Sequence, residues 1–277
     1  MKHLFAGNPM MAEVLREKNK ALAPESWRGG QLAARILLGV FYLLGLALVL
    51  NNIQYIEPVI LLYVLMGVQT LLIPAVLHAT IAGEREKRSL DMLLVAPVTA
   101  SQIVIGKFSR ALVPVVALSL AIGLPTLAVE LARSADGAER YDLNRPGMLG
   151  FMIASLFCLL FAMAIGGLTM WISSKTRTAS AAMMSTIGAL FLLLIVVPAI
   201  AATMSYGAGD FADFVIEMNP FISLYSAYMG PSEQGAFSVS SGEYTLLAMI
   251  LYAVCTVVTL WLATNNVHKL ARTGGSQ

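Results

Sequence analysis

The chain has 277 residues, of which 58% are hydrophobic and only 12% are charged, and its mean hydropathy is +0.76. A water-soluble fold of this length could not bury so much apolar surface, so the composition excludes an ordinary soluble domain. The formal net charge of +2 is too small to indicate nucleic acid as a partner.

The N-terminal segment, residues 1–31, is polar and charged. Asn8 and Pro9 are typical of a helix N-cap followed by proline at the first helical position. Met11, Val14 and Leu15 then share one helical face. We predict a short amphipathic helix that lies on the membrane surface, and a solvated tail is the alternative.

Six apolar runs follow this segment, and each is long enough for a tilted transmembrane helix. They lack the strict alternation of polar and apolar residues that a membrane β-barrel requires. We therefore predict an all-α membrane protein with a single transmembrane domain, residues 1–277, in which a six-span bundle over 32–264 is followed by a cytoplasmic tail over 265–277. The predicted spans cover residues 32–50, 58–81, 101–130, 148–172, 179–204 and 244–264.

The basic residues predict the orientation of this bundle. Of the 18 Lys and Arg residues, 15 lie in the N-terminal segment, at the second-to-third and fourth-to-fifth connections, in the C-terminal tail, or beside these regions. The positive-inside rule then puts both termini in the cytoplasm, and an even number of spans requires the same. We expect a multi-pass protein of the cytoplasmic (inner) membrane.

The last external connection, residues 205–243, contains two amphipathic patterns. Apolar residues recur at helical spacing on both sides of the pair Asn219-Pro220, which is typical of a helix start. We predict two short helices at the outer end of the bundle, and they either act there or only seal it. Their apolar faces comprise Phe211, Phe214, Val215 and Met218, then Phe221, Leu224, Tyr225 and Tyr228.

No catalytic motif is present. Gly106-Lys107 is followed by Phe108, and Ser101 precedes Gly106 by five positions, so the phosphate-binding loop G-x-x-x-x-G-K-[ST] is missing. The histidines are far apart and form no metal-binding pattern. We expect no enzyme activity, no bound cofactor and no metal site on this chain. Glu57 and Glu130 fall at outer ends of spans, which disfavours an ion-coupled pathway through the bilayer.

The connection between the second and third spans, residues 83–97, is the most informative stretch. Opposite charges can pair at helical spacing, leucines gather on one side, and Pro97 ends the helix. Thr99 and Gln102 form a predicted capping box for the third span. The pattern predicts a short, rigid helix that docks on a partner, and a hairpin loop with solvated charges is the alternative. Its charged residues are Glu84, Lys87, Arg88 and Asp91, and its leucines are Leu90, Leu93 and Leu94.

This stretch resembles the permeases of type-2 ABC exporters. Those proteins have an acidic-basic-acidic start, a Leu-Leu pair, a proline and then Gly-Lys between their second and third spans, as here at 84–86, 93–94, 97 and 106–107. The N-terminal Asn8-Pro9 is similar to the start of the family's elbow helix, and Asn219-Pro220 also matches the family. Arg88-Ser89 replaces a Gly-Thr pair of many relatives.

The resemblance implies a half-transporter. Two permease subunits, identical or different, would recruit two cytoplasmic ABC ATPase subunits, which would bind ATP and Mg. Residues 84–97 would form the coupling helix in an ATPase groove, and the fourth-to-fifth connection would make a smaller contact. The implied coupling residues are Glu84, Glu86, Arg88, Leu90, Asp91, Leu93, Leu94, Pro97 and Lys107, and the implied secondary contact comprises Ser174, Lys175 and Arg177.

Three other classes remain as alternatives. A self-sufficient secondary transporter or channel would be active without a partner and would place a charged or strongly polar site near the bilayer midplane. A membrane-embedded enzyme would need a nucleophile–base pair or a cluster of metal ligands at one depth. A structural anchor in the membrane needs neither of these features.

Overall fold

The computed structural model describes residues 57–86, 99–135, 148–208, 210–229 and 241–272. Within these ranges every regular element is a helix. The predicted N-terminal helix, the first predicted span at 32–50 and residues 87–97 of the coupling segment lie outside the described residues.

The described elements follow the predicted order. Five stretches are long and apolar enough to cross a membrane, which confirms the second to sixth predicted spans as helices. The helices are α1 Pro58–Leu77, α2 Ala82–Glu86, α3 Ala100–Ala135, α4 Met148–Lys175, α5 Ala179–Phe191, α6 Val197–Ala208, α7 Asp210–Glu217, α8 Pro220–Met229 and α9 Ser241–Arg272, with a π-helical turn, Leu192–Val196, joining α5 to α6.

Helix ends follow local sequence signals. Pro58 begins α1 after an extended Glu57, as the fixed φ of proline favours. The predicted capping box is confirmed, because Thr99 N donates to Gln102 Oε1 over 3.0 Å and Gln102 N donates to Thr99 Oγ1 over 3.4 Å. Thr178 caps α5 by accepting a hydrogen bond from Ala181 N. Helix α9 continues to Arg272, beyond the predicted end of the span at residue 264. A helix can continue past its apolar residues, because only the part of it that lies in lipid has to be apolar.

Helix α4 is the centre of the bundle, and it packs against α1, α3, α8 and α9. Half of its most apolar stretch, 50%, is buried, whereas only 11% of the Ala179–Thr203 stretch is buried. The side chains of Met66, Phe157 and Met170 are fully buried around α4. The helices α5 and α6 therefore lie at the periphery and present large apolar side chains outward.

Polar residues inside the spans are satisfied mostly within their own helices. Thr70, Thr169 and Thr186 each donate a hydrogen bond to the carbonyl oxygen four residues earlier. Gln69 instead links two helices, because its Nε2 donates to Ser119 Oγ on α3 over 2.9 Å. These bonds pair the three hydroxyl groups and the Gln69 Nε2 group where no bulk water reaches them, whereas Gln69 Oε1 is buried without a hydrogen-bond partner among the described residues.

The two helices predicted in the last external connection are α7 and α8, so both predictions are confirmed. Asn219, between them, accepts a hydrogen bond from Phe221 N and donates from Nδ2 to Leu194 O in the π-helical turn, over 2.8 Å. The start of α8 is thereby attached to the irregular part of the fifth span.

Two carboxylates at this end of the bundle are buried. Glu130 lies inside α3, which continues to Ala135, and is only 3% exposed; it accepts a hydrogen bond from Tyr228 over 3.2 Å. Glu217 at the end of α7 is also buried. The sequence placed Glu130 at a span end but gave no sign that α8 covers it.

The α4–α9 interface predicts a matched pair of glycine substitutions. A Cβ at Gly167 would clash with Thr259 Oγ1 and lie 3.3 Å from the Thr256 carbonyl oxygen, whereas a Cβ at Gly188 meets nothing within 4 Å. We expect Gly167→Ala to lower the free energy of unfolding by about 1–3 kcal/mol, as overpacking does. Gly188→Ala should leave stability unchanged or raise it. Thermal unfolding of both variants in detergent measures this, and equal melting temperatures would contradict the close packing.

Candidate coupling site

The described residues of the predicted coupling site lie together at one end of the bundle. Glu84 and Glu86 are on α2, Lys107 is on α3, and the secondary contact at 174–177 joins α4 to α5. The remaining predicted residues lie outside the described ranges: Arg88, Leu90, Asp91, Leu93, Leu94 and Pro97.

Lys107 ties the end of the second span to the third span. Its side chain is 9% exposed, its Nζ donates to Thr80 O over 2.8 Å, and it forms an ion pair with Glu84. A buried ammonium is costly unless it is paired and hydrogen-bonded, and here it is both. Lys107 therefore fixes both the turn before α2 and α2 itself to α3.

Ser173 on α4 holds the same turn from the opposite side. Its hydroxyl donates to His78 O over 2.8 Å and accepts from Ile81 N and Ala82 N at 3.3 and 3.1 Å. One buried side chain thus satisfies several backbone groups where α1 ends and α2 begins. The resemblance implied a smaller contact over residues 173–178, which includes Ser173, but a serine near the end of a span carries no local signal of its partners.

The two residues that follow Glu84 in α2 contact the connection between α4 and α5. Arg85 donates to Thr176 O over 3.1 Å, and Glu86 Oε2 accepts from Ala179 N over 3.0 Å. Ala179 is the first residue of α5, so the Glu86 carboxylate pairs an N–H group that has no partner within the helix and lies near the positive end of the helix dipole.

The predicted secondary contact consists of one buried polar residue and two exposed cations. Ser174 is 2% exposed, and its Oγ donates to Trp171 O and accepts from Asn266 Nδ2 on α9. Lys175 and Arg177 are exposed, and Lys175 Nζ lies 4.1 Å from the centre of the Trp171 ring. Ser174 thus links the end of α4 to α9, while the two cations are exposed.

These contacts hold α2, the described helix that precedes residues 87–98, against α3, the helix that follows them. The segment leaves α2 at Glu86 and returns at Thr99, and α2 and α3 are joined through Lys107. A displacement of the segment would therefore reach α3 directly and α4 and α5 through Ser173, Arg85 and Glu86. Over the described ranges, no group of three or more His, Cys, Asp or Glu residues could hold a metal ion.

Long apolar helices, with the charged contacts gathered at one end of the bundle, define a multi-pass membrane protein. The chain belongs to the ABC-2 family of transporter proteins, whose family model matches residues 50–265. It is accordingly a membrane transporter permease, which confirms the resemblance seen in the sequence. No curated protein matches the chain.

The ion pair between Glu84 and Lys107 predicts a charge-swap result. We expect Glu84→Lys and Lys107→Glu each to lower the free energy of unfolding by about 1.5–3 kcal/mol, the range for a hydrogen bond to a charged group. The double variant should recover much of that loss because it restores opposite charges. A double-mutant cycle in thermal unfolding measures the coupling. Additive losses in the double variant would show that the two side chains do not act as a pair.

Proposed function

We propose that this chain is the membrane subunit of an ATP-driven exporter whose ATPase is a separate cytoplasmic protein. The subunit crosses the inner membrane six times with both termini in the cytoplasm, and it works with a second permease subunit. ATP and Mg bind to the partner ATPase, and this chain does no chemistry itself.

The observation that carries the proposal is the set of contacts around α2, which we call the coupling joint. These contacts connect α2 and the turn before it, which lead into residues 87–98, to α3, α4 and the start of α5. They are made by Lys107, Ser173, Arg85 and Glu86. A loop that only linked two spans would need no such set of buried and partly buried polar contacts. Such contacts would transmit a movement of the coupling helix at 84–97 to the rest of the bundle.

In the proposed cycle, ATP closes the two ATPase subunits and moves the coupling helix at 84–97. Leu90, Leu93 and Leu94 either enter the ATPase groove or hold the helix against the bundle, and Arg88 and Asp91 provide charges beside them. Pro97 ends the helix before α3. Lys175 and Arg177 make the smaller contact, and their position beside α2 lets both contacts act on one joint.

Movement at this joint would be passed unequally to the rest of the bundle. The central helix α4 is held on several sides, whereas α5 and α6 have little buried surface. A shift of Glu86 acts directly on the start of α5 through Ala179 N. We therefore expect the fifth span to move relative to α4 during transport.

The leucine pair provides the decisive test. We expect Leu93→Asp with Leu94→Asp to leave the amount of folded protein unchanged and to uncouple ATP hydrolysis from transport. Leu93→Met with Leu94→Met keeps the apolar surface and is the matched control. The measurement is copurification of a P-loop ATPase with the tagged chain, together with vanadate-sensitive hydrolysis and transport in vesicles. Full transport by the aspartate variant would rule out the coupling role.

The buried carboxylate of Glu130 favours one alternative, a self-sufficient ion-coupled transporter. That alternative requires transport by the chain alone in vesicles under an imposed pH gradient, and loss of that transport in Glu130→Gln. We expect vesicles without ATPase to show no transport. Transport that needs Glu130 and no ATP would replace the exporter proposal.

The proposed topology predicts which cysteine variants a membrane-impermeant thiol reagent will label in intact cells. With Cys158 and Cys255 replaced by alanine, Ser232→Cys in the last external connection should react from outside. Arg177→Cys should react only after lysis, because the fourth-to-fifth connection faces the cytoplasm. The opposite pattern would invert the orientation.

A further inference from the structure

A basic recess lies beside the coupling site, and of its charged residues the proposed function uses only Lys175 and Arg177 as an ATPase contact. It encloses about 530 Å³, and three separate elements contribute to it: the end of the second span, the α4–α5 connection and the end of α9. We call it the basic recess. Its charged lining consists of Arg85, Lys175, Arg177, Lys269 and Arg272, and no acidic side chain is among the described residues that line it.

The cations of the basic recess are held close together by the fold. Arg85 and Arg177 line the same recess, so their like charges oppose each other. Arg85 cannot move far from this position, because its guanidinium donates to Thr176 O. Like charges held together in this way are stabilised by an anion placed between them.

The inner surface of the basic recess is polar. Ser174 lines it while almost fully buried, and Asn266 Nδ2 donates to Ser174 Oγ over 3.0 Å. An anion with several acceptor oxygens suits a lining of guanidinium, ammonium and amide groups, and arginine in particular pairs with phosphate through two parallel hydrogen bonds.

The depth of the basic recess indicates where such an anion comes from. Three apolar helices end at it, and Trp171, on which Lys175 stacks, marks the boundary between lipid and water, where tryptophan is enriched. A phospholipid headgroup would lie at the level where these spans end, within reach of the cations of the recess.

We propose that the basic recess binds the phosphate of an anionic phospholipid from the leaflet on the basic side of the bundle. Basic pockets between transmembrane helices on this side of a membrane are suited to such headgroups. The lipid would join α9 and the α4–α5 connection to the end of the second span, next to the coupling joint. This inference goes beyond the proposed function and requires only the membrane, not the ATPase.

Native mass spectrometry of the full-length chain in detergent, titrated with phosphatidylglycerol or with phosphatidylcholine, tests the proposal. We expect phosphatidylglycerol to be retained in preference to zwitterionic phosphatidylcholine. The double variant Arg177→Gln with Arg272→Gln removes one charge from each of two elements. At about fivefold for each basic residue near the membrane surface, it should weaken phosphatidylglycerol binding roughly 25-fold.

Two matched variants separate the recess from general positive charge. Arg110→Gln also removes a cation, but Arg110 does not line the recess, so lipid binding should be unchanged. Arg177→Lys with Arg272→Lys keeps the charges and should retain most of the preference for phosphatidylglycerol. A melting temperature for each variant establishes that it is folded.

Four results would overturn the proposal. They are equal retention of the two lipids, unchanged binding in the double glutamine variant, an equal loss in Arg110→Gln, and displacement of phosphatidylglycerol by millimolar inorganic phosphate, which would make the recess a site for a soluble anion. Failure of any ATPase to copurify with the chain, with lipid binding intact, would leave this inference standing and would count only against the proposed function.

Discussion

The coupling site depends on the hydrogen bond and the ion pair made by the buried ammonium of Lys107. The ammonium lies at the junction of two spans and is bonded to a backbone carbonyl of one turn and to the carboxylate of the short helix that follows. Removing a charge from water in this way is favourable only when its partners are in place, so the ammonium requires Thr80 and Glu84 to stay where they are. This requirement makes α2, which precedes residues 87–98, a fixed part of the bundle.

Around this pair, the bundle is held unevenly, and the unevenness has a physical cause. Helix α4 contacts neighbours on several sides, and small residues such as Gly166 and Gly167 let Phe108 and Thr259 approach its backbone closely. Close approach gives dispersion contacts, which replace the hydrophobic effect as the source of helix association in lipid. The fifth span buries much less of its surface than α4 does, and it carries a π-helical turn, a feature that often occurs at functional sites.

The fifth span is nevertheless attached at two points. At its basic end, Glu86 pairs the N–H of Ala179, and within the span Asn219 donates to Leu194 O in the π-helical turn. A span that is attached at these two points and has little buried surface elsewhere is suited to move relative to α4. The proposed exporter cycle and the basic recess both use this arrangement, since each acts on the elements that meet at the basic end.

The sequence by itself determined the helical class and the position of five described spans, because lipid requires each crossing segment to be long, apolar and internally hydrogen-bonded. It also determined features set by neighbouring residues: the Thr99–Gln102 capping box and the helical spacing of α7 and α8. The tertiary structure decided the pairs between distant residues. Glu84 and Lys107 are 23 positions apart, and Ser173 is more than 90 from the turn it holds. Such contacts leave no periodic trace, because the packing of whole helices, rather than the spacing along one of them, brings the partners together.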